Sequence, residues 1–334
     1  MSILIIGDLH FKLDNTFQCE QLYKHVEEIL SDDLITHVIL LGDVLHDHEK
    51  IHSTVLTRVV AFVKMISTKV KVTILVGNHD MVNNQVFCDP NGNWMNVFLG
   101  WGNVCIVDVP QYVLINQIKI AAVPYVHVGR FQEALDKYNI KLDTVSFCVA
   151  HQEFKGCKMG AIESVVGDEY TSDTPCYSGH IHSAQKVGNV TYTGSAFEHS
   201  FGSPKCWLYL VNEKSLKITR IAVKVDSKRT LYTDLKRVDG VFIIDLVIPQ
   251  DATKQLTKCT IKIDQVQDYV AWLQTAQGIE ISRRTKLGYT LRQPEEKCDK
   301  KPKELDVFAT YKEIVRKKHP ECVALMSTIG FGTK

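Results

Sequence analysis

Five apolar runs in this chain each stop at a residue able to bind a metal ion. Residues 2–7 (SILIIG) run into Asp8 and His10, and residues 36–42 (THVILLG) into Asp43. Residues 71–77 (KVTILVG) run into Asn78 and His79, residues 145–150 (VSFCVA) into His151, and residues 175–179 (PCYSG) into His180 and His182. A Val- and Ile-rich run that ends before a polar side chain is the strand-to-loop boundary at which open α/β sheets place their sites. One such boundary means little. Five of them, supplying two Asp, one Asn and several His, describe a two-metal centre.

The segments between these runs set the architecture. Residues 17–30 carry Leu22, Val26, Ile29 and Leu30 at helical spacing, and residues 53–67 carry Val55, Leu56, Val59, Val60, Val63 and Ile66. Strand–helix–strand–helix–strand order implies parallel strands joined by right-handed crossovers. Both helices read as sheet-packing elements, although the broad apolar arc of the second leaves a homodimer contact open. From residue 104 the pattern changes to short β runs (104–109, 111–115, 119–123), an amphipathic helix over 127–138, a hairpin at 186–193 around Gly188-Asn189, and a second hairpin pairing 206–211 with 217–224. The expected fold class is α/β, a four-layer α/β/β/α sandwich over residues 1–228. After the polar stretch 226–237, residues 229–292 read as a small α+β domain with strands at 241–249, 258–263 and 280–285 and a helix at 265–274. Residues 293–334 read as a charged, proline-containing linker and a last helix, 305–318, apolar along Val307, Phe308, Tyr311, Ile314 and Val315.

Composition narrows the classes of function. Net charge is +1, but residues 277–334 hold 13 Lys/Arg against 8 Asp/Glu, a basic tail on a slightly acidic body. Ten cysteines form no C-x-x-C pair, and Cys105, Cys148 and Cys206 lie in apolar runs, so they read as reduced thiols of an intracellular protein. No apolar run approaches the ~20 residues of a membrane span, and the first six residues read as a strand, not a signal peptide. Neither G-x-x-x-x-G-K-[ST], G-x-G-x-x-G nor G-x-S-x-G occurs.

The donor set has its own chemistry. Asp8-x-His10 puts two side chains on one side of an extended segment, a single carboxylate at Asp43 can bridge two cations, and Asn78 offers a neutral oxygen. Mixed imidazole, carboxylate and amide donors suit Mn, Fe, Co or Zn and fit calcium poorly. Two such ions ~3.5–4 Å apart can activate water and clamp a phosphoryl oxygen, the machinery for hydrolysing a phosphate ester.

In order, D-x-H at 8–10, G-D-x-x-H at 42–46, G-N-H-D at 77–80, His151 after a strand, and G-H-x-H at 179–182 resemble the calcineurin-like metallophosphoesterases. Within that superfamily the chain is most similar to the double-strand-break repair nucleases of the SbcD type, including short phage and viral forms. His46 stands three residues after Asp43, the D-R-G of protein phosphatases is absent, and Val123-Pro124-Tyr125 and the 192–202 stretch match the nuclease pattern. Ala196 and Ser203 depart from it, where the family usually has Pro and Glu.

The resemblance implies that Asp8, His10, Asp43 and His182 hold one ion and Asp43, Asn78, His151 and His180 a second, with Mn2+ as the implied metal. It implies that His79 stabilises the transition state or protonates the leaving oxygen, with Asp80 orienting it, and that His46 assists on the substrate side. His25, His37, His127, His199 and His319 read as structural. The implied activity is that of an Mn-dependent DNA exo- or endonuclease, hydrolysing phosphodiesters with water activated between two ions and no covalent enzyme intermediate. The implied setting is a recombination or repair complex, in the host cell if the chain is viral. Residues 229–292 would cap the DNA, with Arg283, Arg284 and Lys286 on phosphates, and helix 305–318 would bind an SMC-like coiled-coil ATPase of the SbcC type. The alternative is a metallophosphatase acting on a small phosphoester or a phosphoprotein.

Overall fold

The computed structural model describes residues 1–48, 50–83, 87–254 and 256–292. The expected linker and helix within 293–334 lie outside the described residues. Strands β1 (Ser2–Ile6), β2 (Ile35–Leu40), β3 (Lys71–Leu75) and β4 (Val104–Val107) run parallel, with α1 (Thr16–Ile29) and α2 (Ser53–Lys69) as the first two crossovers. The chain then builds a second sheet from β5 (Gln111–Ile115), β6 (Ile118–Val123) and β7 (Phe147–His151), with α3 (Phe131–Lys137) between the last two. A two-residue-strand hairpin follows, β8 (Lys158–Met159) and β9 (Ile162–Glu163). Next come β10 (Cys176–Gly179), β11 (Gln185–Val187) and β12 (Val190–Tyr192) of the second sheet. The hairpin β13 (Trp207–Asn212) and β14 (Ile218–Ala222) returns to the first sheet and pairs antiparallel with β1. The orders are β14-β13-β1-β2-β3-β4 and β11-β12-β10-β7-β6-β5.

The four layers follow from strand alternation. In β1, Leu4 and Ile6 join the cluster that holds Leu22 and Val26 of α1 and Val59, Phe62 and Val63 of α2. Ile3 and Ile5 point the other way and meet Ile120, Phe147 and Val149 of the second sheet. That second sheet turns Ala121, Cys148 and Ala150 outward onto Phe131, Ala134 and Leu135 of α3. A strand buried on both faces reads as an unbroken apolar run, which is why β1 to β3 were plain in the sequence. The apolar arc of α2 is taken up by this core: Val55, Val59, Phe62, Val63 and Ile66 are all buried. Helix α3 is shorter than the expected 127–138. The Asp168 carboxylate accepts from Gly129 N and Phe131 N, both at 3.1 Å, and holds 127–130 in a turn before the helix starts.

Residues 229–291 form a four-stranded sheet, ordered β16-β15-β17-β18, from β15 (Arg229–Val238), β16 (Val241–Ile244), β17 (Thr257–Ile263) and β18 (Lys286–Leu291). Helices α4 (Val266–Leu273) and α5 (Ala276–Arg284) cover one face, and Tyr269, Trp272 and Ile281 pack on Leu235, Cys259, Ile261 and Ile263. Three expectations fail here. Strand 241–249 stops at Ile244. The polar stretch 226–237 is mostly the strand β15, unrecognised because its outer residues are charged or polar. Residues 280–285, read as a strand, lie mainly in α5. Thr275 caps that helix by accepting from Gly278 N at 3.1 Å, and Thr285 Oγ1 donates to Ile281 O at 2.9 Å.

The eight described cysteines are unpaired thiols. Among the described residues no helix is long and apolar enough to cross a membrane.

The small sheet's separate core predicts separate stability. Trp272 is fully buried, so Trp272→Ala should cost about 3–5 kcal/mol locally. Hydrogen exchange should quicken over residues 229–291 while β1–β3 stay protected. Loss of protection throughout 1–291 would show one cooperative unit instead.

Candidate metal centre

The C-terminal ends of β1, β2, β3, β7 and β10 meet at one edge of the sandwich and bring all seven expected ligands together. Two groups able to hold an ion form there, Asp8 with His10 and His182, and Asp43 with His151 and His180. In the first, His10 Nε2 lies 2.9 Å from His182 Nε2 and 3.4 Å from Asp43 Oδ2. In the second, Asn78 Oδ1 is 3.1 Å from His151 Nε2 and 2.9 Å from His180 Nδ1, and His151 Nε2 is 3.3 Å from Asp43 Oδ1. Asp43 therefore faces both groups, one oxygen to each.

The backbone is bent to achieve this. His10, Asp43 and His180 have φ of 44°, 50° and 76°, in the left-handed region that non-glycine residues seldom occupy. Such residues cost on the order of 1–3 kcal/mol each and cluster at functional sites. Gly42 at φ 102° makes the turn into Asp43. At Gly77 the reason for glycine is proximity: a Cβ would collide with Asp43 Oδ1 and its backbone N.

Hydrogen bonds from outside orient the donors. His151 Nδ1 donates to Leu41 O at 2.7 Å, which leaves Nε2 as the free ligand atom. His180 N donates to Asp8 Oδ1 at 2.8 Å. The other Asp8 oxygen, Oδ2, is buried with no hydrogen-bond partner among the described residues. An orphaned buried carboxylate oxygen is costly, and a bound cation removes that cost. The residues fit divalent ions on this ground and on their mixed N/O chemistry.

The titration behaviour points the same way. Burial raises the Asp8 pKa, the neighbouring Asp43 adds to it, and the His151 and His182 rings only partly offset them. Burial also opposes charge on Asp43, but the His151, His10 and His79 rings hold its carboxyl well below the usual range. Burial works against charge on His151 too, yet Asp43 and Asp8 lift that imidazole to about 9. Burial and the His151 charge push His180 down to about 3, so its ring stays neutral and able to ligate. In these surroundings protons stand where cations would.

Two of the expected catalytic roles change. Asp80 does not bond to the His79 ring. Its carboxylate accepts from Val44 N, Leu45 N, Gly77 N and Trp94 Nε1 at 2.9–3.3 Å, and so ties the loop after β2 to the loop after β3. Burial and the nearby Asp43 raise its pKa to about 7. His79 is oriented by His46, whose backbone O accepts from His79 Nδ1 at 2.6 Å, and its own N–H donates to Asp43 Oδ1 at 2.9 Å. His46 has its Nδ1 3.3 Å from His10 Nδ1, which places it as a buttress for two other rings. His10, His46 and His79 also form a third cluster of metal-binding character.

Two further histidines belong here, His48 and His199, the latter read as structural from the sequence. His48 stacks on His79 with centroids 4.3 Å apart. His199 lies 5.0 Å from the His10 ring and 5.3 Å from that of His182, and its Nδ1 is buried without a hydrogen-bond partner among the described residues. The signal for His199 was its place in the 194–202 loop, which turns back onto the site. Arg284, expected on phosphate, instead donates to Pro249 O and Gln250 O.

Comparison with known proteins agrees with this geometry. The calcineurin-like phosphoesterase family matches residues 1–184, the stretch that supplies every expected ligand. The protein 244L of Invertebrate iridescent virus 6, named a phosphoesterase, is 37% identical over 263 residues, which is 72% of this chain and 92% of that one. Exonuclease subunit 1 of Enterobacteria phage T4 is 27% identical over 215 residues, or 60% of this chain and 61% of the phage protein. Among solved structures, GAP50 of Plasmodium is 12% identical at a TM-score of 0.42, covering 88% of this chain and 98% of that one. On the family match and the viral relative together, the chain belongs to the calcineurin-like phosphoesterases.

Proposed function

We propose that this phosphoesterase is a two-metal DNA nuclease, the hydrolytic subunit of a recombination or repair assembly, with Mn2+ as its working ion. The observation that carries the polymer substrate is a cleft of about 700 Å3 beside the centre. The loop residues His199, Ser200 and Phe201 line it together with Lys12 and Lys228, and Lys254, Tyr269 and Lys286 of the small domain line it as well. Four lysines against Asp14 make the cleft basic, the electrostatic footprint of a phosphate backbone. The similarity to a phage exonuclease subunit supports the same reading. A coiled-coil ATPase partner for residues 305–318 belongs to this proposal too.

Bound divalent ions would supply Lewis acidity toward the phosphoryl oxygens and an activated water. The protein does the rest. Asp8, His10, Asp43 and His182 would hold one ion, and Asp43, Asn78, His151 and His180 the other. His79, fixed at Nδ1 by the His46 carbonyl, has Nε2 left for the substrate, to stabilise charge or to protonate the leaving oxygen. Asp80 and the Gly77 contact keep the two loops in register, so that His79 and Asp43 stay at their distances. Lysines of the cleft would fix the strand without reading its sequence.

Metal removal and return give the first check. Adding Mn2+ to the chelated protein should raise Tm, by about 2.7 kcal/mol of stability at 100 times Kd. Asp8→Asn and Asp43→Ala should lose that rise; a rise unchanged in both would reject the ligand assignment.

Activity gives the second. With Mn2+, the protein should cut linear, hairpin or single-stranded DNA as well as a small chromogenic phosphodiester. His180→Ala and Asp43→Ala should reduce both rates on the order of 10³-fold, and His79→Gln about 10²-fold or more. Hydrolysis of the small ester alone would return the chain to the rival reading, a metallophosphatase for small phosphoesters or phosphoproteins.

A further inference from the structure

Among the described residues, helices α4 and α5 cover one face of the small sheet and no helix covers the other. Along β15, Leu235 is buried in the core under α4 and α5, so Thr230, Tyr232, Asp234 and Lys236 point the other way. In register with the first three of these stand Lys258, Thr260 and Lys262 of β17, whose alternates Cys259, Ile261 and Ile263 are fully buried. Beyond them come Lys286, Gly288 and Thr290 of β18. Tyr232 is thus the aromatic on the central strands of this open face, in the row Tyr232–Thr260–Gly288, and it is 78% exposed. A groove of about 310 Å3 runs beside it, lined by Asp234, Thr260, Lys262 and Thr290 among others.

The chemistry of this face is specific. A large aromatic left in water on a flat sheet has gained nothing from burial, so the fold does not need it there. At Gly288 the row has no side chain, and a Cβ there would already touch the Lys258 stem at 3.7 Å. Lys258 and Lys262 stand diagonal to Tyr232 on the next strand, either side of Thr260, and Lys236 follows four residues along β15, with Asp234 as the acidic residue of these strands on this face. Lys286 ends the neighbouring row Thr230–Lys258–Lys286 and also lines the basic cleft beside the metal centre. A protein partner of apolar character would find its matching side chains elsewhere, at the Val241 and Ile243 edge.

We propose that this uncovered face binds single-stranded DNA, with one base stacked on Tyr232 and backbone phosphates on Lys236, Lys258 and Lys262. Unpaired bases offer a π-face to an aromatic ring, and a duplex hides it. The strand held there leads past Lys286 into the cleft, so the platform would set how single-stranded ends are presented to the centre. The proposal deepens the nuclease reading and rests on it for the identity of the polymer.

The test measures binding of a fluorescein-labelled oligo(dT) to the full chain in chelator, where nothing is cut. Tyr232→Ala should weaken binding about 5- to 150-fold and Tyr232→Phe should restore it. Lys258→Gln and Lys262→Gln should each flatten the log-affinity against log-salt slope by about 0.7. Duplex of equal length should compete poorly. Hydrolysis of the small chromogenic diester with Mn2+ should be unchanged in all four variants, which shows that each is folded. Unchanged affinity and salt slope in Tyr232→Ala and the lysine variants, while the protein still cuts DNA, would overturn the platform and leave the nuclease reading standing. Oligonucleotide binding that needs Tyr232 in a protein that hydrolyses only the small diester would overturn the nuclease reading and keep the platform. A Tyr232-dependent self-association with no effect on oligonucleotide affinity would assign the face to a second copy and overturn the proposal.

Discussion

Two carboxylates, Asp8 and Asp43, are buried almost completely at one sheet edge, and the structure around them serves to make that tolerable. Buried negative charge is stable only when paired, hydrogen-bonded or metal-bound. Here a ring of imidazoles surrounds the pair, the His180 backbone N–H holds one oxygen of Asp8, and the His79 backbone N–H holds one oxygen of Asp43. One oxygen of Asp8 is still without a hydrogen-bond partner among the described residues. The protein has supplied every partner short of the cations themselves.

Reaching that arrangement needs the two sheets and not only the strand ends. Asp8 and Asp43 come from the first sheet, and His151, His180 and His182 from the second. The apolar layer between them, Ile3 and Ile5 against Phe147 and Val149, fixes the spacing of the donors. Strained backbone at His10, Asp43 and His180 then aims the side chains, and the stability of the sandwich carries that strain. Asp80 links the loops from beneath, a structural task that its place beside His79 in sequence did not announce.

The small sheet adds a different physics. Its helices protect one face of a sheet, and its other face and the adjoining cleft are rich in lysine and carry exposed aromatic surface. The donor cluster lies at the edge of the sandwich, and the lysine-lined cleft lies beside it.

The sequence by itself determined the sandwich and which donor side chains stand at its strand ends. Strands buried on both faces write continuous apolar runs, and donors that follow them directly cannot be far from the edge. It did not reveal β15, whose outer face is charged, nor separate α5 from a strand, because six residues around Ile281 carry too little periodicity. It also misplaced Asp80 and read His199 as structural. Whether a side chain beside a ligand touches the ring next to it or a backbone several strands away depends on how two loops pack, and only the tertiary structure decides that. Local pattern records which face of an element is buried; the partners of a buried polar group are a property of the assembled edge.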